Sequence, residues 1–144
     1  MIQKILLILA FAIAGSVHAH GEDKPGPHGG HIKMPGPFHT ELEIDPVQGA
    51  HIFLLDMDFQ NPTVQNSSVT AKFQAKGSKK TVEYKCGIMG GNHFHCVPQG
   101  KIAGKGQLKI KAVRENAVGN EVVYELPLLH FKNEASAKED HSKH

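Results

Sequence analysis

The most constraining feature of this chain is a period of two. From residue 39 onward, short runs alternate apolar and polar side chains and end at turn residues. Residues 39–45 set Leu42 and Ile44 on one side and Glu41, Glu43 and Asp45 on the other. Residues 51–59 bring Phe53, Leu55, Met57 and Phe59 together, and 68–74 do the same for Val69, Ala71 and Phe73. Residues 81–88 group Val82, Tyr84, Cys86 and Ile88, and 93–97 read as a short return. Residues 107–113 group Leu108, Ile110 and Ala112, while 121–131 group Val122, Tyr124, Leu126 and Leu128. A strand places such sets on one side of a sheet, because successive side chains point to opposite faces. Asp45-Pro46…Gly49, Asn61-Pro62, Lys76-Gly77-Ser78, Gly90-Gly91-Asn92, Gly104-Lys105-Gly106 and Gly119-Asn120 supply the turns between them. No segment shows a convincing amphipathic helical period. The pattern predicts an all-β domain over 39–132, an immunoglobulin-like antiparallel β-sandwich of about seven strands. A small β-barrel is the alternative. At 144 residues the chain has room for one such domain.

The ends read differently. Lys4 precedes an uncharged apolar run, Ile5 to Ala14, and Val17-His18-Ala19 fits a small-x-small cleavage pattern. Residues 1–19 are therefore expected to be a signal peptide. Its ten apolar residues would span about 15 Å as a helix, half of a hydrocarbon core. No later segment is long and apolar enough to cross, so no membrane span is expected after cleavage. No Cys follows the run, which argues against a lipid anchor. A periplasmic or secreted location is expected. Gly21 to Pro37 holds nine Gly or Pro residues, so 20–38 reads as a flexible Gly/Pro/His-rich arm. Residues 133–144 read as a disordered polar tail.

Charge excludes some functions. Lys and Arg number 16 against 14 Asp and Glu, too balanced for a polybasic nucleic-acid binder or a highly charged disordered chain. Histidine is the abundant residue, at 11. The segment Cys86-Gly87-Ile88-Met89-Gly90-Gly91-Asn92-His93-Phe94-His95-Cys96 concentrates the chemistry. A hairpin centred on Gly91 sets Cys86 opposite Cys96, Gly87 opposite His95, Ile88 opposite Phe94 and Met89 opposite His93. Cys86, Ile88, Phe94 and Cys96 then face the core, and Met89, His93 and His95 share the other face. In an exported protein, facing cysteines form a disulfide; the competing reading joins their thiolates to histidines around a metal. Imidazole suits copper, zinc and nickel, and thioether selects Cu(I). The arm adds His20, His28, His31, Met34 and His39, with His28 and His31 flanking two glycines. Against this stands the plain reading of solvated histidines on an exposed edge.

Three resemblances bear on these residues. If His20 becomes the N-terminus, its amine and imidazole resemble the N-terminal copper ligand of CopC-type copper proteins and lytic polysaccharide monooxygenases. The order His28-Gly29-Gly30, a Gly/Pro stretch, His39-Thr40-Glu41-Leu42, a strand ending near Asp56, Asn61-Pro62 and a Lys-rich hairpin resembles a periplasmic β-domain. That domain occurs alone or fused to adaptor subunits of heavy-metal resistance-nodulation-division efflux systems. The resemblance implies transition-metal handling, with an efflux adaptor as partner and His28, His31 and His39 as ligands. Phe94-His95-Cys96-Val97-Pro98-Gln99-Gly100-Lys101-Ile102 is similar to the ligand loop of small cupredoxins. Gln99 and Ile102 replace its His and Met, so a type 1 copper site is not expected.

Enzyme motifs are missing. There is no Gly-x-Ser-x-Gly elbow and no His-Glu-x-x-His helix, and Asp56 and Asp58 read as solvated strand residues. The expectation is a periplasmic transition-metal-binding protein, copper more than zinc, with no organic cofactor, that buffers metal or delivers it to an efflux system. Its candidate ligands are His20, His28, His31, Met34, His39, Met89, His93 and His95. A non-metal envelope interaction module is the alternative, and convergence of His93 and His95 with an arm histidine would separate the two.

Overall fold

The computed structural model describes residues 24–131. The expected leader, His20 and the tail from 133 lie outside the described residues. Nine strands are present: β1 (His31–Lys33), β2 (His39–Ile44), β3 (Ala50–Leu55), β4 (Ser68–Ala75), β5 (Thr81–Met89), β6 (His93–Pro98), β7 (Gly106–Arg114), β8 (Ala117–Val118) and β9 (Val122–Leu126). All seven alternating runs are strands, and the short β1 and β8 add two. β9 stops at Leu126 because Pro127 has no N–H to donate to a ladder.

The strands form one antiparallel path, β1-β2-β3-β6-β5-β4-β7-β8, with β9 also on β7. β5 links its two halves by changing partner. Thr81 to Glu83 pair with β4, and Tyr84 to Met89 pair with β6. The sheet is thereby nearly closed into a barrel. The remaining seam, between β1 and the β8–β9 edge, is crossed by Asn120 N–H donating to the Pro35 carbonyl at 2.8 Å. The Tyr124 hydroxyl also crosses it, lying 2.7 Å from Thr40 Oγ1 and donating to the Thr40 carbonyl (3.2 Å) and the His31 carbonyl (3.3 Å).

Leu42, Ile52, Leu54, Phe73, Phe94, Leu108, Ile110 and Tyr124 fill the interior. β3 departs from the expected pattern, because both of its faces are covered. Ala50, Ile52 and Leu54 face the main core, whereas Phe53 and Leu55 form a second cluster with Ile32 and Phe59 outside the sheet. An unbroken apolar run signals such two-sided burial. Met57 leaves the expected face for the turn after β3 and is half exposed. In that turn Asp56 accepts hydrogen bonds from the Asp58 and Gln60 amides, so Asp56 and Asp58 are not paired on a strand. Ile88 has the expected register opposite Phe94, yet is 62% exposed where the hairpin overhangs the barrel.

What covers Phe53 is the segment expected to be a flexible arm. From Lys24 it turns through Gly26 to Gly30, with hydrogen bonds Gly26 N to Gly30 O (2.8 Å) and Gly29 N to Gly26 O (2.9 Å), and enters β1. Gly29 has φ +81°, a conformation that strains other residues. Glu41, expected on the solvent side, is fully buried beneath this turn. Its Oε2 accepts the amides of His28 (2.8 Å) and Gly30 (2.9 Å), and its Oε1 meets His28 Nδ1 at 2.7 Å. Three donors on one carboxylate offset the cost of taking it out of water. The anchoring glutamate pins the arm across β2 and β3.

Candidate metal centre

The site begins with a turn. Between β2 and β3 the chain reverses over Asp45 to Gly49, with Asp45 N–H donating to the Gly49 carbonyl (2.9 Å) and Gln48 N–H to the Asp45 carbonyl (3.0 Å). Asp45 Oδ1 accepts the amides of Val47 (3.0 Å) and Gly49 (2.8 Å), an Asx turn. The turn consumes one carboxylate oxygen and leaves Oδ2 pointing out over the sheet.

The strands bring two imidazoles to that oxygen. β3 pairs with β6 so that His51 faces His95, and alternation puts both on the outer face. His51 Nε2 lies 3.1 Å from Asp45 Oδ2, and His95 Nε2 lies 3.3 Å from it. The ligand atoms of the three residues all lie within 4.8 Å of one another, and this His/Asp group can hold a metal ion. A tetrahedral ion with bonds of about 2.0–2.1 Å has ligand atoms about 3.3–3.4 Å apart. The two carboxylate–imidazole separations match that edge. The three side chains are 21–23% exposed, so a fourth position is open to solvent.

Gly49 forms the floor of the site. A Cβ there would sit 2.5 Å from both Asp45 Oδ2 and His95 Nε2, so only glycine leaves the two ligand atoms room.

His93 is not aimed at Asp45. Its Nε2 lies 3.1 Å from His51 Nδ1, and its Nδ1 lies 2.8 Å from Asn92 Oδ1. Through these contacts His51 is held at Nδ1 and presents Nε2 to Asp45 Oδ2. Fixing a ligating histidine through its other nitrogen is the usual outer-shell arrangement of a metal site.

Stacked rings extend the cluster toward the arm. Phe53 stacks on His28 at 3.7 Å between centroids and on His93 at 4.4 Å. Two rings cannot share one face at these separations, so Phe53 lies between them. His51 stacks on His95 at 4.5 Å. Burial, then the charges of His51, His28 and His95, hold the His93 pKa below the ordinary histidine value. Burial pushes the Asp45 carboxyl up, but the Gly49 amide, the His51 and His95 side chains and the Val47 amide together hold it below its usual value.

The expected ligands divide sharply. The hairpin register is as anticipated, with Cys86 opposite Cys96, Gly87 opposite His95 and Met89 opposite His93. Cys86 and Cys96 form a disulfide, so neither offers a thiolate. His93 and His95 share a face; arm residue His28 touches neither, being separated from His93 by Phe53 with its Nδ1 on Glu41. Met89 lies beside His93, 40% exposed. His39 is not in the cluster. It is buried, with Nδ1 3.0 Å from the Asp56 carbonyl and its ring stacked on Phe59. His31 is also apart, stacked on Phe131, and Met34 is half exposed. His20 lies outside the described residues. Asp45 and His51 were not singled out from the sequence. The available signal was that His51 shares its parity with Phe53, on a run whose two faces are both covered. Comparison with protein-family models, curated proteins and solved structures finds no match for this chain.

Proposed function

We propose that this protein binds a divalent transition metal through Asp45 Oδ2, His51 Nε2 and His95 Nε2, and that it buffers or hands over that metal rather than using it for catalysis. The observation that carries the reading is the trio of ligand atoms above Gly49, with His51 held through His93 and Asn92. Two imidazoles and a carboxylate suit zinc, Cu(II) or nickel. A thioether at Met89, opposite His93 at the rim, is a soft donor suited to Cu(I), so copper remains a candidate in both oxidation states. Three protein ligands with one open position let an incoming ligand displace the ion without unfolding the site, which suits transfer. A periplasmic location after removal of residues 1–19, and delivery to a heavy-metal efflux adaptor, complete the proposal. It is independent of whether the β-domain is grouped with immunoglobulin-like sandwiches or with small barrels.

Calorimetric titration with Zn(II), Cu(II), Ni(II) and Cu(I) tests it. The wild type should bind one divalent ion, and His51→Ala and His95→Ala should abolish that binding. Gly49→Ala should weaken it strongly although every ligand remains. Dissociation constants weaker than about 100 μM for every ion would defeat the proposal. So would tight binding that survives in His51→Ala and Gly49→Ala, because the ion would then sit elsewhere.

A further inference from the structure

Charge is segregated along the chain and around the barrel. Residues 70–111 contain nine lysines, no arginine and one carboxylate, Glu83. Residues 24–69 contain five carboxylates and two lysines. The strand order sets β4 and β7 across the barrel from β2 and β3, while β6, which lies within 70–111, pairs with β3. The candidate metal centre occupies the carboxylate-bearing wall.

On the other wall, burial of Ala71, Phe73, Leu108 and Ile110 turns the alternate residues outward. Lys72 sits directly opposite Lys109 on β7 and Glu83 on β5, and Thr70 sits opposite Lys111. Like charges facing each other across a ladder are destabilising. Lys109 Nζ donates to Gln74 Oε1 at 2.8 Å, which fixes it beside Lys72 without neutralising it. Among the described residues none of the nine lysines is ion-paired; the pairs join His28–Glu41, His51–Asp45, His95–Asp45 and Arg114–Glu115. Lys76 and Lys105 extend the wall at one end, where they line a cleft of about 460 Å³ with Gln74, Gln107 and Glu125.

We propose that the β4–β7 wall docks on an anionic lipid surface and so turns the metal-bearing wall toward solvent. The composition selects this partner over an acidic protein. Protein interfaces anchor on Trp, Tyr and Arg set in pockets, and this wall presents lysine, glutamine, serine, threonine and Glu83 from β4, from the β7 residues Gln107 to Lys111 and from the β4-paired part of β5, with Glu125 of β9 beside Gln107. Lysine is a mobile point charge that suits diffuse attraction to a layer of phosphates rather than bidentate recognition. The apolar residues that share this face, Val113 and Val123, are both partly buried.

The test is sedimentation of the full protein with vesicles of phosphatidylcholine alone or mixed with phosphatidylglycerol. Binding should require phosphatidylglycerol and should disappear between about 0.1 M and about 1 M salt, as the screening length falls from about 10 to about 3 Å. Each lysine near such a surface contributes roughly fivefold to partitioning, so Lys72→Gln/Lys109→Gln should weaken it roughly 25-fold. Glu83→Gln, on the same wall, should strengthen binding, and this keeps the test informative if the double variant is unstable. Absence of sedimentation at low salt overturns the proposal, as does equal binding to both vesicle types. Retention on an immobilised acidic polypeptide without vesicle binding also overturns it, in favour of a protein partner.

Discussion

Glu41→Ala should be among the most damaging single changes in this protein. The side chain is fully buried and receives three donors, the amides of His28 and Gly30 and the His28 ring. Truncation leaves two amides and an imidazole without their acceptor and opens a space under the turn from Gly26 to Gly30. Removing one partner of a buried, hydrogen-bonded ionic group costs about 3–5 kcal/mol. Glu41→Gln is the sharper comparison. Its carbonyl can keep both amides and its NH₂ can donate to a neutral His28, so its cost should be nearer 1–2 kcal/mol. In a domain this size each kcal/mol moves the melting temperature by about 4–8 °C. Thermal unfolding should therefore show a loss of about 12 °C or more for Glu41→Ala and under half of that for Glu41→Gln. Limited proteolysis should cut Glu41→Ala within residues 24–38 before the barrel unfolds. Metal affinity should fall as well, since a released arm no longer clamps Phe53 against His93. A loss below about 1 kcal/mol for Glu41→Ala, with the arm still protected, would refute the idea that this carboxylate pins the arm.

Three further predictions concern stability. The Cys86–Cys96 bridge spans ten positions of sequence, so Cys86→Ala/Cys96→Ala should lose about 3 kcal/mol in denaturant unfolding, as the loop-entropy argument requires. The two buried tyrosines should behave oppositely. Tyr124→Phe removes the hydroxyl that links Thr40 and the His31 carbonyl across the seam and should cost about 1–3 kcal/mol, whereas the Tyr84 hydroxyl has no partner among the described residues and Tyr84→Phe should be neutral or mildly stabilising by the same chemical denaturation. Burial, followed by the charge of Lys33, holds His31 below its ordinary pKa of 6.5, against a raising contribution from the Leu129 backbone. The folded chain therefore binds fewer protons at His31 than the unfolded chain, and this part of its stability falls as pH drops through 6.5 toward the lowered value. His31→Gln should flatten the pH dependence of unfolding in that window.

The hairpin shows what local sequence can specify. A turn at Gly90-Gly91 separates short strands, so its register follows from counting residues, and the disulfide follows from the register. The seven alternating runs were readable for the same reason, since strand parity is a local property. Burial was less readable, because it depends on what lies against each face. Glu41 and Ile88 have the parity their neighbours dictate, yet one is sealed beneath the arm and the other overhangs the barrel. The arm itself misleads by composition. Its glycines and prolines break regular structure, but Glu41 supplies the hydrogen bonds that a regular ladder would have given.

The metal centre was half visible. His93 and His95 announced themselves as neighbours in one hairpin, and Asp45 was marked as a turn residue. Nothing local ties His51 to His95, which lies more than forty positions away, and only the β3–β6 pairing puts them face to face. Roles within the cluster required the tertiary structure too. His93 and His95 have identical parity, yet His95 points at Asp45 while His93 sits behind His51 and orients it. By itself the sequence determined the strands, the hairpin register and the kind of donor atoms available, because these follow from side-chain chemistry and a period of two. The tertiary structure decided which donors meet, because strands distant in sequence must first pair in one register before an oxygen and two nitrogens can surround a single point.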